Sequence, residues 1–366
     1  MGLRVYQIAP HVAQADAVGN QILATHDLLE RSGCETRIFA DSHDAQLDAL
    51  VRPTTDYLNV ASPDHWLILH YCSCGYANRV ALESRGRVIL YYHNVTPARF
   101  FYGYDAVSAS CCGQARWQLK EFVGKGSAIA ASDYNRAELA ALGFDVRAVA
   151  PYILQLDSLH AGSDAPENAA LRARFAAPDV RTWLYVGRIA PNKRIEDILH
   201  AFDYYHRRIE PASRLLLVGS RRADRYNAEI DALIDRLGLG DAVVFPGSLR
   251  ASALGVLYGL ADLYISLSEH EGFCVPLVEA MSFGLPILAY DSTAVPGTLG
   301  RSGVLLHRKD PPLVAEVAHE VVTDQALREA LVARQTTRLE DFAPTAMRLK
   351  LRQALIAAGL PLPSTA

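Results

Sequence analysis

Leu263-Tyr-Ile-Ser-Leu267 runs directly into Ser268-Glu-His-Glu271-Gly-Phe-Cys-Val-Pro276-Leu-Val-Glu279-Ala-Met-Ser-Phe-Gly284-Leu-Pro286. The first five residues form a short apolar run of strand length. Pro276 suits the opening of a helix, where its missing N–H is no loss, and Gly284 suits its end. Leu277, Ala280 and Met281 give that helix one apolar face at helical spacing. The stretch reads as a strand, a tight loop and a short helix. Backbone N–H groups of the loop and first turn then face a ligand, and the helix dipole favours an anion such as a diphosphate.

Outward from this unit the same alternation fills the chain. Arg4-Val-Tyr-Gln-Ile8, Thr36-Arg-Ile-Phe-Ala40, Trp66-Leu-Ile-Leu-His70, Arg87-Val-Ile-Leu-Tyr-Tyr92 and Ala128-Ile-Ala-Ala131 read as strands, with helix-length segments between them, the first near Gly19 to Ser32. A polar, linker-like stretch near Tyr152 to Asn168, containing Gly162, Ser163 and Pro166, precedes a second series. That series is Trp183-Leu-Tyr-Val186, Leu215-Leu-Leu-Val218, Ala242-Val-Val-Phe245, Leu263-Tyr-Ile-Ser266 and Pro286-Ile-Leu-Ala-Tyr290. Strands separated by helices imply parallel pairing with crossover connections. The expectation is α/β, with two doubly wound domains at 1–152 and 153–343. The helical tail breaks at Phe342-Ala-Pro344, so a last helix at 344–366 is free to join the first domain.

At 366 residues the chain is long enough for two domains with separate cores. It is 50% apolar and 21% charged, the balance of a globular protein. A formal charge of -4 gives nucleic acid no electrostatic support. No apolar run reaches the ~20 residues that cross a bilayer, and Met1 to Pro10 lacks a signal-peptide layout. The expected location is cytoplasmic. Cys34, Cys72, Cys74, Cys111, Cys112 and Cys274 lack zinc spacing and read as ordinary reduced thiols.

Glu271 in the loop and Glu279 on the helix can border one polyhydroxylated ligand and accept hydrogen bonds from its hydroxyls. They read equally as a capping Glu and a surface Glu. His270-Glu271 is not half of a zinc-protease motif, because Cys274 stands where the second His belongs. Tyr185-Val-Gly187-Arg188-Ile-Ala-Pro-Asn-Lys193 follows a strand, and its cations can converge on a pyrophosphate or be solvated in a loop. No Asp-x-Asp pair is placed to hold a metal on a diphosphate, so neither metal nor cofactor is expected.

The setting E-G-F-C-V-P-L-V-E-A-M, with Glu271 and Glu279 separated by seven residues, resembles the EX7E motif of retaining GT-B glycosyltransferases of family 4 (glycosyl transferases group 1). The resemblance implies two Rossmann-like domains facing a central cleft. It implies transfer of a hexose from a nucleotide sugar to a saccharide or lipid-linked saccharide in surface polysaccharide synthesis, with GDP-mannose the favoured donor and a UDP- or dTDP-sugar such as dTDP-rhamnose the alternative. By the same resemblance Arg188 and Lys193 hold the diphosphate as it leaves, Glu271 orients the sugar and Glu279 the ribose. Gly187 and the helix start, Gly272, Phe273, Cys274 and Val275, line the donor. Val218-Gly-Ser220-Arg221 and Phe245-Pro-Gly247-Ser248-Leu249 contact the base and phosphates.

In the first domain, Ala17-Val-Gly19 is similar to the family's glycine-rich loop, although Asp16-Ala17 stands where a glycine is usual. His93, at the end of Leu90-Tyr-Tyr-His93, matches the family's functional His and joins Glu271, Arg188 and Lys193 as a catalytic candidate; it reads equally as a structural His. Arg99 and Tyr102 lie in an aromatic loop suited to an acceptor sugar or a lipid headgroup, or to the core. A peripheral contact with the cytoplasmic membrane face stays open. A nucleotide-sugar epimerase and a non-catalytic nucleotide-binding partner subunit are the rival functions.

Overall fold

The computed structural model describes residues 2–14, 16–161 and 165–363. Met1, the Gly162 and Ser163 of the expected linker, and the last three residues of the expected final helix lie outside the described residues. The chain divides into two compact units.

The first unit comprises Met1–Arg99, Val107–Leu154 and the C-terminal segment from Phe342. Its strands are β1 (Arg4–Val12), β2 (Glu35–His43), β3 (Val51–Pro53), β4 (Trp66–Tyr71), β5 (Arg87–Tyr92), β6 (Gly126–Ala130) and β7 (Val146–Val149). They pair in the order β3-β2-β1-β4-β5-β6-β7, all parallel. The central strands β4 and β5 are buried from their second residue onward, as parallel strands covered by helices on both faces must be. The last helix, Pro344–Ala357, buries Met347, Leu351, Ala354 and Leu355 and stops before Gly359, whose φ is 99°. It belongs to this first unit, where Ser127 donates to the Ala358 carbonyl at 2.6 Å.

The second unit comprises Phe100–Ala106 and Gln155–Asp341. Its strands are β8 (Arg181–Val186), β9 (Ser213–Val218), β10 (Val243–Gly247), β11 (Leu263–Ser266), β12 (Ile287–Tyr290) and β13 (Val304–Leu306). Their order is β10-β9-β8-β11-β12-β13, again all parallel. Phe100–Ala106 falls here because Phe100 lies 6.1 Å from the His270 ring, and Tyr104 meets Tyr226 edge to face at 5.3 Å.

β3, β7 and β13 do not stand out in the sequence. Each is three or four residues long, and β3 carries Arg52 and Pro53 at a sheet edge where only one side needs pairing. The stretch expected as a linker is largely packed: Tyr152, Ile153 and Leu154 are buried, and Leu156–His160 is helical. The six-thiol expectation is corrected, because Cys74 after β4 and Cys111 in the helix Ala106–Leu119 form a disulfide. They are 37 residues apart in sequence, so only the packing of that helix against the sheet brings them within reach. Among the described residues, no helix is long and apolar enough to cross a membrane.

Gly255 is the close point between helix Leu156–His160 and helix Ala251–Leu260. A Cβ there would sit 2.0 Å from the Leu159 carbonyl oxygen. Gly255→Ala should therefore force the two helices apart and lower stability by about 1–3 kcal/mol, read as a fall in denaturation midpoint; an unchanged midpoint would show that the contact yields freely.

Candidate functional site

In the second sheet the strand order reverses between β8 and β11, and ligands of open α/β sheets bind beyond the carboxyl ends of strands at such a point. The loops after these two strands hold most of the expected site. After β8 the chain crosses Gly187 and Arg188 and makes a single 3-10 turn at Pro191–Lys193. This turn is fastened to the loop after β11. Glu269 donates its N–H to the Asn192 carbonyl at 2.9 Å, and Asn192 Nδ2 donates to the His270 carbonyl at 3.1 Å. Lys193 Nζ meets Glu271 Oε1 at 2.6 Å, with both side chains mostly buried. Lys193 and Glu271, 78 residues apart, are thus one ion pair.

Arg188 is exposed, and among the described residues its guanidinium has no partner. Its backbone is fixed instead, since its carbonyl accepts from Tyr185 Oη at 3.1 Å. The approach of β8 and β9 behind it is tight. Gly219 has φ 146°, and a Cβ there would lie 1.9 Å from the Gly187 carbonyl oxygen, so no side chain fits.

Glu271 is held from its backbone side as well, donating its N–H to Thr293 Oγ1 at 2.8 Å. The helix that follows is Val275–Ser282, preceded by Cys274 in a left-handed conformation with φ 70°. Thr298 donates to the Phe273 carbonyl at 2.5 Å and fixes the bend. The amides of Gly272, Cys274 and Val275 have no acceptor among the described residues, leaving the helix start able to bind an anion. Leu277, Val278, Ala280 and Met281 are buried and Glu279 is half-buried, so it lies off the apolar face. Its Oε2 accepts from Tyr258 Oη at 2.7 Å. Burial raises the Glu279 carboxyl above the ordinary range, and the Tyr258 hydrogen bond pulls the other way. Burial also pushes the Cys274 thiol well up, reinforced by Glu271 and Glu279 and opposed by Lys193, so this thiol sits among all three charges.

The other donor candidates are placed less openly. Arg221 Nη2 is engaged by the Asn227 carbonyl at 3.2 Å and Asp231 at 2.6 Å, and its guanidinium lies 4.3 Å over the Phe245 ring. The Ser220 and Gly247 carbonyls are used within the sheet end, accepting from Ile189 and Gly219. Ser248 is exposed, while Leu249 packs against the core. An ion network that sequence reading did not identify braces the outer side of the loop. Lys309 reaches Glu269 at 2.9 Å and Asp197 at 3.0 Å, and Arg194 reaches Asp197 at 3.0 Å. Burial would raise Asp197, but the hydrogen bonds and charges of Arg194 and Lys309 outweigh it and hold the carboxyl below its usual range.

In the first unit, Gly19 lies in the helix Ala17–Arg31, capped by Asp16, which accepts from the Gly19 N–H at 2.7 Å. A Cβ at Gly19 would fall 1.7 Å from the Ala13 carbonyl oxygen, so loop packing alone demands glycine here. Arg99 is exposed, and Tyr102 is 67% exposed. His93 is buried and both its ring nitrogens are engaged, by Tyr152 Oη at 3.2 Å and His70 Nδ1 at 2.9 Å. His70 Nε2 meets Gln7 Oε1, a pure acceptor, at 2.8 Å. With Gln7 Oε1 as the acceptor, Tyr152 donates to His93, His93 to His70 and His70 to Gln7. Burial pushes His70 down to about 3 and His93 well below its ordinary value, with the neighbouring His70 adding to the latter. Gln7, His70, Tyr152, Tyr258, Thr293 and Lys309 had no motif to mark them, and Asn192 lay inside the Tyr185–Lys193 stretch without being singled out.

Both histidines bind fewer protons folded than unfolded below about pH 6.5, so stability should fall with acid across that range. The slope is about 1.4 kcal/mol per pH unit for each. Denaturant titrations of His70→Asn should show a flatter decline between pH 6.5 and 4; an unchanged slope would mean that the ring is charged in the native state.

Residues 168–338 match the family described as Glycosyl transferases group 1. The Escherichia coli protein named serotype-specific mannosyltransferase WbdA is 26% identical over 175 residues, covering 48% of this chain and 21% of that one. The Xanthomonas campestris protein named GDP-mannose:cellobiosyl-diphosphopolyprenol alpha-mannosyltransferase is 37% identical over 144 residues, 39% of this chain and 36% of that one. The chain thus spans well under two thirds of the length of these relatives. The crystal structure of Anabaena Alr3699/HepE in complex with UDP and glucose superposes with a TM-score of 0.77 at 15% identity, covering 97% of this chain and 100% of that one. With two doubly wound parallel sheets the chain has the GT-B fold, and within its second unit the match to the group 1 glycosyltransferases spans both loops of the β8–β11 switch point.

Proposed function

We propose that the protein is a retaining family-4 hexosyltransferase that transfers mannose from GDP-mannose to a saccharide or lipid-linked saccharide acceptor in surface polysaccharide synthesis. The observation that carries this reading is the grouping at one strand edge of an unpaired Arg188, the Lys193–Glu271 pair and the open amides of the Val275–Ser282 helix start. Cations and amides together suit a diphosphate, and Glu271 and Glu279 suit hydroxyl groups. The mannosyltransferase names of two relatives support the sugar.

In this mechanism the diphosphate rests on Arg188, Lys193 and the amides of Gly272, Cys274 and Val275. Glu271 turns the sugar and Glu279 binds the ribose. Negative charge that builds on the departing phosphate meets donors already fixed in place, which stabilises the transition state more than the ground state. Arg188 supplies the planar fork and Lys193 a point charge. Gly187, Ser220, Gly247, Ser248, Leu249, Phe273 and one face of Arg221 remain the proposed surroundings of the nucleotide. His93, neutral and engaged at both nitrogens, is given no proton-transfer step. Arg99 and Tyr102 are proposed for the acceptor, and the cytoplasmic membrane face is the proposed place of work. The cations make a metal on the diphosphate unnecessary.

A uridine donor is the second reading, since the Anabaena protein holds UDP and glucose. A thermal-shift screen of GDP-mannose, UDP-glucose and dTDP-rhamnose separates the readings, because a donor at ~100 times its Kd stabilises by about 2.7 kcal/mol. The largest shift should come from GDP-mannose, and a shift confined to UDP-glucose would replace the donor assignment. With the donor in hand, Arg188→Ala should reduce sugar transfer by about 10²–10³. Retention of full transfer would remove the mechanism, and loss of transfer on adding EDTA would require a metal.

A further inference from the structure

We infer that Tyr258 is the positioning residue for the ribose contact of Glu279, fixing one carboxylate oxygen so that the other faces the nucleoside's hydroxyls. This rests on the donor reading above and names a residue which that reading does not use. Tyr258 lies in the helix Ala251–Leu260, is 1% exposed, and spends its hydroxyl on Glu279 Oε2 at 2.7 Å. Oε1 has no partner among the described residues. A carboxylate anchored at one oxygen cannot rotate, so the remaining lone pairs are held in one direction before any ligand arrives.

The anchor is itself rigid. The Tyr258 ring stacks on Phe283 at 5.4 Å and 15°, and Phe283 stacks on His160 at 4.1 Å and 18°. His160 Nε2 meets Ser282 Oγ at 3.1 Å, and Ser282 donates to the Glu279 carbonyl at 2.7 Å. The side chain and the backbone of Glu279 are therefore restrained from the same layer. The titratable groups within electrostatic reach are Tyr258, Tyr264, Cys274 and, around the loop, Glu271 with its partner Lys193. Burial keeps the two phenols and the thiol protonated, and the Tyr258 O–H donates rather than accepts, so it favours the ionised form of Glu279.

The test is calorimetric titration of the full-length chain and of Tyr258→Phe with GDP and with its 2′-deoxy and 3′-deoxy analogues, at pH 5 to 8. Tyr258→Phe keeps the ring and its stacking. It should bind GDP about tenfold more weakly at neutral pH. Its affinity should also begin to fall at a higher pH than in the parent, because Glu279 loses the hydrogen bond that holds its carboxyl down. With the analogue lacking the contacted hydroxyl, parent and variant should bind equally. Equal weakening for GDP and both analogues would overturn the inference and leave Tyr258 a packing residue, as would an unchanged affinity and pH limb. A parent chain that binds no nucleoside diphosphate would overturn the donor reading itself.

Discussion

The fastening of the Pro191–Lys193 turn to the Glu269–Glu271 loop is the constraint on which the rest of the second unit's chemistry depends. β8 and β11 are parallel neighbours, so their carboxyl ends emerge at the same sheet edge, and two hydrogen bonds of Asn192, one through its carbonyl and one through its side-chain amide, lock their loops in register. Without that lock, Lys193 and Glu271 would be two mobile side chains, and an exposed ion pair of that kind contributes little. Held mostly buried at 2.6 Å, each instead neutralises the other and removes the cost of a lone charge near the core. The Lys309, Asp197, Arg194 and Glu269 network secures the same loop from its far side.

This neutrality shapes what the site can attract. A paired Lys193 offers an incoming anion less than a free one, so the unpaired Arg188 and the open helix-start amides supply the net positive field. The charge of Glu271 is balanced by Lys193, whereas Glu279 is hydrogen-bonded by the neutral Tyr258 and keeps its charge, so hydroxyl groups suit it better than a phosphate. Both carboxylates are restrained, Glu271 by Lys193 and Glu279 by Tyr258.

Burial decides the first unit differently. His93 follows a strand that is buried from its second residue, and the strand's own packing draws the ring into a line with His70, Gln7 and Tyr152. A histidine that is engaged at both nitrogens and desolvated is held neutral, and the cost of charging it in place makes the unit less stable as the pH falls.

The sequence by itself determined the α/β class, the succession of the long strands along the chain, the strand-loop-helix around Glu271, and the resemblance to the group 1 glycosyltransferases, because each rests on local pattern: apolar runs of strand length, Pro276 and Gly284 at helix ends, and a fixed spacing of two glutamates. Short edge strands such as β3 and β13 escaped it, since three residues carry no period and their pairing is set by a neighbour. The pairings also escaped it. Lys193 with Glu271, Tyr258 with Glu279, His93 with His70, and Cys74 with Cys111 join residues 21 to 78 positions apart. Only the tertiary structure decided them, because contact at that separation is fixed by which strands neighbour one another and which helices cover them, and no local pattern of residue types encodes that order.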